Sequence, residues 1–78
     1  MTSPVDRDLP EPLPRQVAAV LRREIYDGHL TGRLPSEADL AARFEVTRDP
    51  TIRDALAILR DEWLVTVLRG RGWFVVKR

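Results

Sequence analysis

Cysteine is absent from the 78 residues, so neither a disulfide nor a thiolate metal site supports the fold. There is one histidine, His29, and a lone imidazole cannot assemble a zinc site. Long apolar runs are missing too; none approaches the roughly 20 residues needed to span a bilayer. The opening stretch MTSPVDRDLPEPLP has no basic start and no apolar segment, so it does not read as a secretory signal. The expected location is the cytoplasm, with no membrane partner. Stability must come from ordinary apolar packing. A chain this short buries only about 60% of its unfolded surface, so that stability is expected to be modest.

A large excess of one charge is also lacking: 13 Lys and Arg face 12 Asp and Glu, a net charge of +1. The distribution is more informative than the sum. The N-terminal end carries Asp6, Asp8 and Glu11 against Arg7, whereas the C-terminal end carries Arg69, Arg71, Lys77 and Arg78 without an acid. A segregated basic end is the electrostatic footprint of a nucleic-acid binder, although a solvated tail has the same composition.

Four prolines (Pro4, Pro10, Pro12 and Pro14) crowd the start, which predicts a disordered or loosely draped acidic arm over residues 1–11. Residues 12–78 then form one domain. Val17, Val20, Leu21 and Ile25 recur at helical spacing and predict a first helix from Pro14 or Arg15 to Asp27, closed by Gly28. A connector comes next, with a very short strand at its end. Ser36, with Glu37 and Asp39 after it, has the form of an N-cap with acids in the first turn. The helix it opens ends near Phe44. Asp49-Pro50 predicts the cap and first residue of a third helix reaching Asp61 or Glu62, with Ile52, Ala55, Leu56 and Leu59 on one face. The two β-branched and aromatic runs, 64–68 and 73–76, flank Arg69-Gly70-Arg71-Gly72 and predict a hairpin. Three helices and then a hairpin is the order of a winged helix-turn-helix, mainly α with a small β wing.

In a helix-turn-helix the second helix of the pair enters a major groove, and its leading residues meet base edges. Here those residues are Thr47, Arg48, Thr51 and Arg53. Arginine binds guanine O6 and N7 bidentately, and threonine bonds phosphate or touches a thymine methyl. At the hairpin tip, two arginines on a glycine-punctuated turn form a cationic finger suited to a narrow groove. A surface turn kept soluble by two arginines is the blander alternative.

The stretch LPSEADLAARFEVTRDPTIRDALAILRDEWLVTVLRGRGWFVV resembles the DNA-binding domain of GntR-family transcription regulators. The matching residues are Leu34-Pro35-Ser36-Glu37, Leu40-Ala41, Val46-Thr47-Arg48, Thr51-Ile52-Arg53, Ala55-Leu56, Leu59, Leu64-Val65, Gly70-Arg71-Gly72 and Phe74-Val75. The resemblance runs from about Pro12 to Val76. It implies a transcription regulator, a repressor in effect, bound to double-stranded DNA at an inverted-repeat operator as a weak or DNA-induced homodimer. It further implies that Arg48 and Arg53 contact bases, Thr47 and Thr51 contact phosphates, Ser36 meets phosphate at the second helix start, and Arg69, Gly70, Arg71 and Gly72 form the wing contact.

The chain departs from the family pattern at four places. The connector is about two residues short. Glu45 and Trp63 stand where the family has glycine; Trp63 is expected to plug the gap between the third helix and the hairpin. Pro50 looks like an insertion before Thr51-Ile52-Arg53. The resemblance implies an effector-binding domain beyond the wing, and within these 78 residues no pocket for a small-molecule effector is expected.

Other residues invite plainer readings. His29 reads as a loop residue, and Asp49, Asp54, Asp61 and Glu62 as caps and solvated acids, with Asp54 on the outward face of the third helix also placed to accept from a cytosine amine or orient an arginine; no enzyme chemistry or cofactor is expected. Trp73 reads as packing rather than a base platform, and Ile58 as part-exposed or a partner contact. The competing reading is a winged-helix protein-interaction module that has lost DNA binding, favoured by Glu45, Pro50 and the near-neutral charge.

Overall fold

Apolar residues at helical spacing on α1 (Leu13–Tyr26) turn Val17, Ala18 and Leu21 inward. The computed structural model describes residues 5–76. Two further α-helices, α2 (Glu37–Phe44) and α3 (Arg53–Asp61), pack with α1, and β1 (Val65–Leu68) pairs antiparallel with β2 (Gly72–Val75). The core joins Val17 and Leu21 of α1, Leu40 and Phe44 of α2, Ile52, and Ala55, Leu56 and Leu59 of α3, all fully buried. Leu34, Leu64 and Val65 extend it toward the hairpin. At about 25 cal/mol per Å² of apolar surface removed from water, this burial is the main favourable contribution to folding. The winged helix-turn-helix expected from the element order is the fold observed.

The hairpin register sets Val65 opposite Val75, Thr66 opposite Phe74 and Val67 opposite Trp73. The short strand expected in the connector is present as a single bridge between Arg33 and Phe74, held by Leu34 N–H to Trp73 O at 2.9 Å and Val75 N–H to Gly32 O at 2.7 Å. The wing is thereby tied to the segment that leads into α2.

All three helices end in the same way. Their final carbonyls accept one six-to-one and one five-to-two hydrogen bond around a left-handed residue, the Schellman arrangement. After α1 that residue is Gly28 (φ 79°), with His29 N–H bonding Glu24 O and Gly28 N–H bonding Ile25 O. After α2 it is Glu45 (φ 56°), with Val46 N–H on Ala41 O. After α3 it is Trp63 (φ 63°), with Leu64 N–H on Leu59 O. Trp63 does not plug the gap expected for it. Its side chain is 79% exposed, because the left-handed backbone that buries Leu64 turns residue 63 outward. Trp73 is half-buried against the core, and so is Ile58.

The start of the third helix also differs from expectation. Asp49 is extended (φ −127°, ψ 118°) and the Asp49–Pro50 peptide is cis. The backbone across Arg48–Ile52 makes a wide turn, with Ile52 N–H reaching back five residues to Thr47 O and Arg53 N–H to Arg48 O. A five-residue reach encloses one more residue than an α-turn. Regular α-helix begins only at Arg53, and neither Thr47 nor Ile52, the residues flanking the start and end of the wide turn, makes a side-chain capping bond.

Within the arm, residues 1–4 lie outside the described residues. Residues 5–11 are anchored, where the proline content predicts disorder. Val5 is 7% exposed and joins the core. Gln16, also buried, accepts from Asp6 N–H at 2.7 Å and donates to Asp6 O at 2.8 Å and Glu11 O at 2.9 Å. A buried amide with three backbone partners holds a segment that composition alone describes as loose.

Candidate nucleic-acid interface

Ser36 starts the site. Its hydroxyl accepts from Asp39 N–H at 3.0 Å, which fixes the first turn of α2 and sets the next residue, Glu37, at the base of a cleft. Glu37 Oε1 accepts from Arg48 Nε at 3.1 Å and lies 3.6 Å from Arg53 Nε. Its other oxygen accepts from Trp73 Nε1 at 3.0 Å. One carboxylate thus gathers Arg48 and Arg53, at the start of the third helix, and the indole of the wing. The indole hydrogen bond, then the two guanidiniums nearby, hold the Glu37 carboxyl below its usual value, against the opposing effect of partial burial. The carboxylate is therefore ionised at neutral pH and a fixed anchor for both arginines.

Arg48 and Arg53 expose 62% and 58% of their side chains, so the anchor holds the stems while the guanidiniums stay available. They line a concavity of about 410 Å³ together with Arg33, Ser36, Arg69, Gly70 and Gly72. The leading end of the recognition segment and the wing tip therefore open onto one surface, the arrangement a helix and a wing need to straddle a duplex. The wing turn is closed by Arg71 N–H on Leu68 O at 2.9 Å, with Gly70 and Gly72 both at positive φ. Arg71 is exposed at this turn but does not line the concavity.

The threonines divide. Thr47 is exposed and donates to Thr51 Oγ1 at 3.0 Å. Thr51 is 8% exposed, so it does not occupy the surface position expected of a phosphate contact; it braces Thr47 from beneath. On the wide turn it faces inward beside Ile52. Two residues of the cleft are not singled out by sequence reasoning. Glu37 reads there only as an acid favoured at a helix start. Arg33 reads only as part of the connector, although an arginine just before the Leu-Pro-Ser-Glu motif is itself a signal of a basic rim.

Residues 13–75 match the family model described as bacterial regulatory proteins, gntR family. An HTH-type transcriptional regulator of Rhizobium meliloti (strain 1021) is 41% identical over 76 residues, covering 95% of this chain and 31% of that protein. The HTH-type transcriptional repressor NagR of Bacillus subtilis (strain 168) is 37% identical over 75 residues, covering 94% of this chain and 30% of that protein. This chain therefore spans under a third of the length of these curated relatives. Among solved structures, the DNA-binding domain of AraR in complex with operator ORX1 superposes with a TM-score of 0.80 at 28% identity, covering 97% of this chain and 92% of that one. These relatives are regulators of transcription, not enzymes.

Proposed function

Because the chain belongs to the GntR family of bacterial regulatory proteins, we propose that it binds double-stranded operator DNA in the cytoplasm and regulates transcription, acting as a repressor. The observation that carries this reading is the shared surface: Arg48 and Arg53, held by Glu37, open onto the same concavity as the wing residues Arg69, Gly70 and Gly72. The wide turn and the start of α3 enter a major groove, with the two arginines on guanine edges. The wing tip, Arg71 included, lies on the adjacent minor groove or backbone. The Ser36 hydroxyl, whose proton is not used by its capping role, donates to phosphate, and the Thr47 hydroxyl does the same by turning its proton from Thr51 Oγ1 toward the DNA. Two copies bind an inverted repeat, with pairing weak or induced by the DNA. The resemblance to NagR, a named repressor, and to AraR in complex with its operator supports this reading.

A salt titration of duplex binding tests it. If several phosphates are neutralised, log K falls linearly with log salt at about 0.9 per phosphate. Arg48→Ala and Arg53→Ala should each weaken binding to a selected site by about 1–3 kcal/mol. The near-neutral net charge favours the second reading, a winged-helix protein-interaction module. Absence of binding to any duplex at low salt would select it.

A further inference from the structure

The leading edge of the third helix carries two exposed acids that neither the fold nor the Glu37 anchor requires, Asp49 and Asp54, and Asp49 is the one that lies against Arg53. Asp49 is 70% exposed, and its Oδ2 lies 3.6 Å from Nη1 of Arg53. It sits on the extended residue of the wide turn, between Arg48 and Pro50. Pro50 has no backbone donor and no polar side chain, so the carboxylate of Asp49 is the acidic acceptor set between the two arginines.

A carboxylate on a surface that meets phosphates is repelled at any position near the backbone. It is tolerated against a base edge that presents a donor. In the major groove, adenine flanks its amine with the N7 acceptor, and guanine and thymine present acceptors at O6 and O4. Cytosine presents the N4 amine without a neighbouring acceptor. The guanidinium beside Asp49 has the complementary preference, for guanine O6 and N7. An acceptor and a donor fork 3.6 Å apart therefore match a cytosine amine and a guanine edge side by side, in one base pair or in neighbouring ones.

The geometry points to Asp49 as a specificity-determining residue that accepts from the N4 amine of a cytosine next to the guanine met by Arg53. This rests on the DNA-binding reading above and adds the base that the acidic residue selects. The cost of its charge near phosphate is returned as discrimination, so removing it loosens sequence choice while strengthening non-specific binding.

The test is selection from a randomised duplex pool with the full chain, Asp49→Asn and Asp49→Ala, then titration on the selected site and on a scrambled duplex. The unaltered chain should enrich a cytosine beside a guanine. Asp49→Ala should lose about ten-fold of that cytosine preference and bind scrambled duplex more tightly. Asp49→Asn should move the preference toward adenine, whose N6 and N7 suit an amide. Thermal melting monitored by circular dichroism checks that the variants fold, and the near-isosteric Asp49→Asn carries the test if the alanine variant does not. Identical selected profiles for all three proteins would overturn the assignment while leaving DNA binding intact. Loss of the guanine preference alone would also overturn it, reducing Asp49 to a residue that positions Arg53. If the unaltered chain enriches no duplex, the DNA-binding reading falls, and this assignment with it.

Discussion

Glu45 and Trp63 occupy left-handed positions equivalent to the one Gly28 occupies after α1. A side chain there brings Cβ toward the following carbonyl and costs about 1–2 kcal/mol, whereas glycine is unhindered but loses more freedom on folding, by about 0.5–1 kcal/mol. The balance favours glycine by roughly 0.5–1 kcal/mol at each site. Trp63→Gly discards little buried surface, since the residue is 79% exposed, and should raise the urea midpoint at an unchanged m-value. Glu45→Gly should stabilise similarly and keep the hydrogen bond from Arg7, which is made to the main-chain oxygen of residue 45. A lower midpoint in both variants would mean that the side chains make gains the static contacts do not reveal. Glu37→Gln is expected to behave differently. It keeps an acceptor for the Trp73 indole but removes the charge that orders Arg48 and Arg53, so duplex affinity should fall several-fold with a smaller change in stability. Equal losses from Glu37→Gln and Glu37→Ala in binding, with no change for either in melting, would indicate contact with DNA rather than support of the arginines.

At the scale of elements, the docked arm and the wide turn depend on contacts distant in sequence. Gln16→Ala removes three hydrogen bonds to the backbone of Asp6 and Glu11 and leaves those groups to water. A loss of about 1–2 kcal/mol is expected, with faster amide exchange at residues 5–11 and little change in α3. Unchanged exchange in the arm would show that Val5 holds it alone. The helices themselves are legible in the sequence because their apolar spacing, the Ser36 cap and Gly28 are local signals that tertiary packing does not contradict. The hairpin is legible from its two β-rich runs and the glycine-punctuated turn. The anchoring of residues 5–11 is not, because proline content reports only the freedom of the isolated chain. The burial of Thr51 is hidden for a related reason: the five-residue reach of the backbone across Arg48–Ile52, with Asp49 extended, sets which of these side chains face inward, and residue spacing alone does not reveal it. Glu37 illustrates the limit most clearly. A helix-start acid is locally complete, and only the fold brings Arg48, Arg53 and the wing indole to it.

Across the whole molecule, the near-neutral charge conceals a consistent pattern of pairing between elements. Arg22 of α1 makes a bidentate pair with Glu62 after α3, both contacts at 2.7 Å. Arg43 of α2 pairs with Glu24 of α1 through both oxygens, and Glu37 joins α2 to the recognition segment and the wing. Each of these glutamates has a carboxyl held below the ordinary 4.5, chiefly by its hydrogen-bonded partner: Arg22 for Glu62, Arg43 for Glu24 and Trp73 for Glu37. For an acid depressed by folding, the unfolded chain takes up protons first as the pH falls. The stabilisation is therefore complete above the unfolded value and is lost as the pH drops through 4.5 toward the folded one. The urea midpoint should be level from pH 7 to about 5.5 and decline steadily below that. Exposed pairs contribute about 0–1 kcal/mol each, so Glu24→Gln with Glu62→Gln should lower the neutral plateau slightly and flatten the acid slope. The cleft gathers Arg33, Arg48, Arg53 and Arg69 around a single lining carboxylate, Glu37, and so is positive although the chain as a whole carries only +1. An acid slope equally steep in that double variant would move the pH dependence away from the contacts between helices and onto Glu37 or the remaining carboxylates.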